Sequence, residues 1–281
     1  MYVQNIIRNL QKFWEQNGCI ILNTHDIEKG AGTMSPHTFF KVLGEKPWKA
    51  AFIECCRAPT DGKYGKESHR LYQHHQLEVI LKPSPDNVQD LYLDSLKSLG
   101  IKLENHDIRF LPDNWEGKTL GGWGLGWMVE INGIPITHFT YFQQMGSMSC
   151  RPISAEIATC IEHLAIFLQG KDSIYDVMWN KDISYGKLFK SNEYQYSKYS
   201  FEIADSKTIQ ALCKIYENEA TMLINKKLTL PAYDYILKFS NIFNILDARG
   251  LISINERSRL IARIRWLIRE VAEVHISNQN S

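Results

Sequence analysis

Four stretches of this chain carry residues whose types and spacing could do chemistry. RAPTDGKYGKESHR (57–70) sets Arg57, Lys63, Lys66, His69 and Arg70 between two apolar runs. Cations held on a strand–loop–strand support suit a polyphosphate, because a guanidinium can take two phosphate oxygens at once. An exposed hairpin with ordinary solvated lysines is the competing reading. NWEGKTLGGWGLGW (114–127) concentrates three tryptophans and five glycines. Glycine lets backbone approach a small ligand and tryptophan can wall a pocket; a tight aromatic-packed turn without a ligand is the alternative. GLGW is not a dinucleotide fingerprint, since the G-x-G-x-x-G spacing is absent.

SAEIATCIEHLAIFLQG (154–170) places Ile157, Cys160, Ile161, Leu164 and Leu168 on one helical stripe, with Glu156, Glu162 and His163 in or beside it. It reads either as a core helix with a few solvated charges or as a helix that puts ionisable groups into a site. Finally, His74-His75 and Glu162-His163 could in principle serve acid–base catalysis. Adjacent residues on a strand face opposite sides, so His74 and His75 cannot both line one pocket, and structural roles are favoured for them. No Ser-His-Asp or Cys-His arrangement can be assigned from spacing.

The elements that must hold these residues are legible from periodicity. Residues 2–17 form an amphipathic helix stopped by Gly18, followed by a short strand, CIILNT, and a Gly-rich loop, GAGTMSP (30–36). AAFIECC (50–56) and HHQLEVILK (74–82) are strands rich in apolar and β-branched residues. Residues 84–100 form a helix with Asp86 as cap candidate and Gly100 as stop. WMVEINGIPITHFTYFQQM (127–145) is a hairpin, since Asn132-Gly133 suits a two-residue type I′ turn. After about residue 200 the chain turns helical, near 205–224, 231–247 and 255–276. The last helix should bury Leu260, Ile264, Leu267 and Val271. Its five arginines face RNA, a partner subunit or, as the reading favoured by the interleaved Glu256, Glu270 and Glu273, solvent. The layout to about residue 180 is α+β, largely antiparallel sheet with helices packed against it.

With 32 basic and 31 acidic residues, a formal net charge of +1, the chain lacks the basic excess of a protein that wraps nucleic acid by itself. Cysteines 19, 55, 56, 150, 160 and 213 form no C-x-x-C pair. They read as reduced thiols without zinc-ligand spacing, and with no signal peptide or bilayer-length apolar run the expected location is the cytoplasm.

GAGTMSPHTF, RAPTDGKYG, HRLYQHHQ, KPSPDNVQDLYLDSL, HDIRFLPDNWE, GLGW, HFTYFQQMG, LPAYDYILK and LDARG together give the chain a resemblance, from about residue 5 to 272, to the α subunit of the bacterial two-subunit glycyl-tRNA synthetase. That resemblance implies a class II aminoacyl-tRNA synthetase catalytic domain over 1–200 and a helical C-terminal region over 201–281. It implies condensation of glycine with ATP to glycyl-adenylate, with Mg²⁺ on the phosphates, and transfer of glycyl to tRNA(Gly). The implied assembly is an α homodimer with a separate β subunit, an α2β2 heterotetramer in which β supplies most tRNA recognition; no membrane is involved.

Carried over by position, Arg57 and Glu156 are the catalytic candidates, Glu156 also as a Mg²⁺ ligand. Arg57, Arg70, Gln76, Glu162 and His163 are the ATP-binding candidates, and Thr33, Trp115, Trp123 and Gln143 those for the glycine pocket. The chain departs from the family pattern at three places. Cys160-Ile161-Glu162-His163 stands where the third motif has Gly-Leu-Glu-Arg, Ala58 follows Arg57 where an arginine pair is usual, and Met128 replaces a glutamate on the hairpin. Histidine is shorter than arginine and mostly neutral at pH 7. The alternative is therefore a weakened or inactive synthetase-like binding or regulatory module.

Overall fold

The computed structural model describes residues 1–279. Helix α1 (Val3–Gln16) buries Val3, Ile6, Leu10 and Trp14, a stripe at helical spacing. Each such side chain contributes roughly 1.5–3 kcal/mol relative to exposure, which anchors the helix to the sheet. Strand β1 (Ile20–Leu22) and the short α2 (Pro36–Val42) precede the long strands β2 (Trp48–Arg57) and β3 (Gln73–Lys82). Then come α3 (Val88–Ser98), β4 (Ile108–Pro112), β5 (Trp115–Gly117), β6 (Gly122–Ile131), β7 (Ile134–Met145), β8 (Met148–Ser149) and β9 (Ala155–Cys160). Helices α4 (Ile161–Gln169), α5 (Tyr185–Lys198), α6 (Ser206–Asn225), α7 (Thr229–Ala248) and α8 (Ile254–Gln279) follow.

The strands form one sheet in the order β1-β2-β3-β9-β7-β6-β4, with β5 on β6 and β8 on β7. Among the described residues only the β1–β2 pair is parallel. One core lies between the back face of the sheet and α1, α3 and α4; it includes Ala51, Leu77, Val79, Val129 and Ile157. The other joins Ala50, Phe52, Ile80 and Phe142 of the front face to α2, α6, α7 and α8. The C-terminal helices are thus packed into the same core as the front of the sheet. Buried Lys82 donates to the carbonyls of Val42, Leu43 and Gly44 at 3.0, 2.9 and 2.6 Å, placing its charge where the C-terminus of α2 leaves acceptors open.

The α+β layout read from the sequence is the layout observed. Asn132 and Gly133 have φ of 52° and 80°, as a type I′ turn requires. Leu260, Ile264, Leu267 and Val271 are all buried. Three details differ from expectation. Residues 154–170 are not one helix: 155–160 form β9, paired on both sides with β3 and β7, and only 161–169 are helical. A central strand buried on both faces shows no polar–apolar alternation, so Ile157 and Cys160 fell on the helical stripe by coincidence. Helix α3 begins only at Val88, with Asn87 and not Asp86 at its cap. Helix α5 was not anticipated, because its buried Glu193 and Ser197 hide the apolar stripe.

Candidate active site

Register decides which side chains share the front face. Gln76 pairs with Glu54 on one side and Cys160 on the other, while Glu78 pairs with Phe52 and Ala158. Glu156 pairs with Ile80 and Thr140, and Ala158 with His138. One sheet face therefore carries three glutamates, Glu54, Glu78 and Glu156, each at 1% exposure or less. Buried carboxylates need partners, and each of these solves the problem differently.

Glu54 is paired: Lys29 Nζ lies 2.8 Å from its Oε2, Thr24 Oγ1 donates at 2.7 Å and the backbone N–H of His25 at 3.2 Å. Glu78 has no hydrogen-bond donor at either carboxyl oxygen among the described residues, apart from the neighbouring carboxyl of Glu156. Burial, then the charges of Glu156 and Glu54, drive its pKa well above the ordinary carboxylate range. Burial also lifts Glu156 to about 7, against hydrogen bonds from Thr33, Glu78 and Thr140 that hold it down. The loop 30–36 closes over this pair. A Cβ on Gly32 would collide with the Glu78 carboxyl, and the Gly32 N–H donates to Gln76 Oε1 at 2.8 Å.

Beside this floor opens a cavity of about 340 Å³, lined among others by Arg70, His74, Gln76, Cys160, Glu162 and His163. Its size suits part of a nucleotide-sized ligand. Gln76 Oε1 is occupied by Gly32 and by Cys56 Sγ at 3.1 Å, leaving the amide nitrogen for a ligand. His163 Nδ1 lies 2.8 Å from the Pro135 carbonyl; a carbonyl only accepts, so Nδ1 carries a proton and Nε2 is left for a ligand. Burial lowers the pKa of His74. Arg70 is half-exposed and pairs with Asp61 at 2.9 Å.

The candidates from sequence do not all converge. Arg70, Gln76, Glu162 and His163 line the cavity. Glu162 presents its carboxylate elsewhere, to His75 Nδ1 at 2.7 Å. Arg57 stands over the Tyr196 ring at 4.9 Å, with Glu28 at 3.6 Å, and is not part of the cavity lining. Thr33 joins Glu156. Trp115 and Trp123 line a separate depression with Gln144 and Arg265, and Gln143 Nε2 donates to the Tyr141 carbonyl at 3.1 Å. The glycines of GLGW lie within β6: at Gly126 a side chain would strike the carbonyl of Phe139 on β7.

Glu156 is the residue expected to hold Mg²⁺. It lies at 1% exposure beneath the loop, beside a carboxyl whose pKa burial raises, and no group of three metal-ligating side chains exists among the described residues. Mg²⁺ retains several waters and seeks ionised carboxylates, so this donor set does not fit a resident ion. Lys29, Glu54 and Glu78 were missed by sequence reasoning. The available signal was a charged residue inside an apolar run, as in IECC and LEVIL.

The family model described as "Glycyl-tRNA synthetase alpha subunit" matches residues 3–280. Two solved structures of a pyrrolysyl-tRNA synthetase from Desulfitobacterium hafniense are similar at 12% identity and a TM-score of 0.48, covering 66% of this chain and 73% or 75% of theirs. The chain belongs to the glycyl-tRNA synthetase α-subunit family.

Proposed function

We propose, with that membership as premise, that the chain is the catalytic α subunit of a class II glycine–tRNA ligase. The glycine carboxylate attacks the α-phosphorus of ATP, pyrophosphate leaves, and glycyl-adenylate forms. A hydroxyl of the terminal adenosine of tRNA(Gly) then attacks the carbonyl and AMP leaves. Mg²⁺ enters with the substrate, on the ATP phosphates. The observation that carries this reading is the family match over nearly the whole chain, with Arg70, Gln76 and His163 gathered around one cavity.

Negative charge builds on the phosphorus oxygens in the first transition state, and fixed donors there lower the barrier. Arg70 is the candidate for such a donor and the Gln76 amide for holding the adenylate; His163, whose Nδ1 proton goes to the Pro135 carbonyl, offers Nε2 as a donor only as the imidazolium. Glycine has no side chain to grip, so selection falls to a tight wall that excludes larger amino acids, for which Thr33 beside the loop at Gly32 is a candidate. The partners of this reading are a second α chain, a β subunit and tRNA(Gly), recognised mainly through β, in the cytoplasm. Among the described residues no helix is long and apolar enough to cross a membrane.

A second reading, a weakened or inactive module built on this fold, is favoured by one observation. Arg57, the α-phosphate candidate, is engaged by Tyr196 and Glu28, while His163 stands where an arginine is expected. The test is glycine-dependent ATP–pyrophosphate exchange by the αβ complex. Exchange above background supports the ligase; none, with intact glycyl-adenylate-analogue binding, supports the module.

A further inference from the structure

The back face of the sheet holds a group of side chains that the proposed reaction does not use. Cys55 of β2 and His75 of β3 are direct cross-strand partners, so their side chains stand side by side on that face. His75 Nδ1 meets Glu162 Oε1 at 2.7 Å, and the His75 backbone N–H donates to both Glu162 oxygens at 3.0 Å. Tyr185 Oη donates to Glu162 Oε1 at 3.0 Å. The imidazole is flanked by Trp179 and Phe189, with ring centres 5.9 and 5.5 Å away. A buried carboxylate thus fixes the ring by Nδ1 and leaves Nε2 as the other nitrogen of a ring that stands beside the thiol, the arrangement that activates a cysteine nucleophile.

Among the six cysteines Cys55 is the exposed one; Cys19, Cys56, Cys150 and Cys213 are buried and Cys160 is partly covered. The hydrogen bond from His75 lowers the Cys55 pKa, opposed by burial. Burial depresses His75, but its bonds to Cys55 and Glu162 outweigh this and raise it to about 10. Burial raises the thiol pKa of every other cysteine. The charged or titratable groups around the pair are Glu162 from α4, Tyr185 from α5, Lys29 from the loop before α2, Glu54 and Cys56 of the same strand as Cys55, and His74 of the same strand as His75.

We propose that Cys55, His75 and Glu162 form an activated-thiol site that reacts selectively with low-molecular-weight disulfides. His75 takes the thiol proton and the Cys55 thiolate attacks one sulfur of the disulfide. A Cys55–S–S–R bond forms as the S–S bond of the reagent breaks, and the departing thiolate recovers the proton from His75. No other oxidant is needed.

The full chain is treated with oxidised glutathione and peptide-mapped. In parallel, exchange with dipyridyl disulfide is timed from about pH 5 to about pH 9, each rate divided by that of a cysteine peptide at the same pH. The expected result is one glutathione adduct, on Cys55, and a fast phase that is absent in C55S. Relative to the peptide, that phase should be at least about tenfold faster near pH 6, because an ordinary thiol loses roughly tenfold in thiolate per pH unit below its pKa. H75Q should remove this advantage near pH 6 and retain reaction near pH 9. An adduct elsewhere, a fast phase that survives C55S, or a wild-type profile parallel to the peptide overturns the proposal. The last comparison needs no folded variant.

Discussion

Glu78 and Glu156 are diagonal neighbours on adjacent strands of the front face, both buried, and burial raises the pKa of each carboxyl. Two carboxylates in one water-free space cannot both ionise, so the fold stores an acid where most sheets place an apolar side chain. Gly32 is tied to this pair, since the loop above them has no space for a Cβ.

Both carboxyls are neutral or half-neutral in the fold at pH values where the unfolded chain has lost the proton. The unfolded state then binds fewer protons, and stability falls as pH rises above about 4.5. The share of Glu156 ends near its folded value of about 7, while that of Glu78 continues upward. E78Q keeps the shape and removes one titration. Thermal melts should show E78Q gaining stability relative to wild type as pH rises from about 4.5 to about 8. Equal loss at both pH values would contradict the protonated state.

Lys29 and Glu54 form a buried ion pair. K29M leaves the Glu54 charge without its cation and should cost about 3–5 kcal/mol in denaturant unfolding. K29M/E54Q removes both charges, while Thr24 and the His25 N–H still reach an acceptor at position 54. The double variant should recover most of the loss. Additive single effects would mean that the pair is not coupled.

Glu193 of α5 accepts the backbone N–H groups of Tyr72 and Gln73 at 2.7 and 2.9 Å, pinning the end of the loop that carries Arg70. E193A orphans two donors, each worth about 1–3 kcal/mol when buried. Hydrogen exchange at Tyr72 and Gln73 should accelerate together with proteolysis within 58–70. Unchanged protection would show that α5 does not hold the loop.

His163 stands where the family pattern has arginine, and with its Nδ1 proton on the Pro135 carbonyl the neutral ring has no donor left for a phosphate. Losing such a transition-state donor typically costs about 10²–10³ in rate, so H163R should raise glycine-dependent exchange by about tenfold or more at low ATP. If H163R leaves exchange at background while the protein stays folded, position 163 is not what limits activity.

The amino-acid sequence by itself determined what depends on short spacings. Asn132-Gly133 specified the hairpin because two adjacent positive-φ positions are demanded there, and Val3, Ile6, Leu10 and Trp14 specified α1 because an apolar stripe has one way to be buried. The motif pattern likewise identified the family, and Gln76 and His163, which it marked as ATP-binding candidates, both line the cavity. Strand β9 was not legible, because residues buried on both faces lose the alternation that marks a strand. Nor were the pairings that carry the chemistry: His75 and Glu162 are 87 residues apart, and Lys29 and Glu54 are 25 apart. Such pairs are set by sheet register and by which helix end abuts which strand, and only the assembled fold decides those. The same register that put His74 in the cleft turned His75 to the back face, beside Cys55.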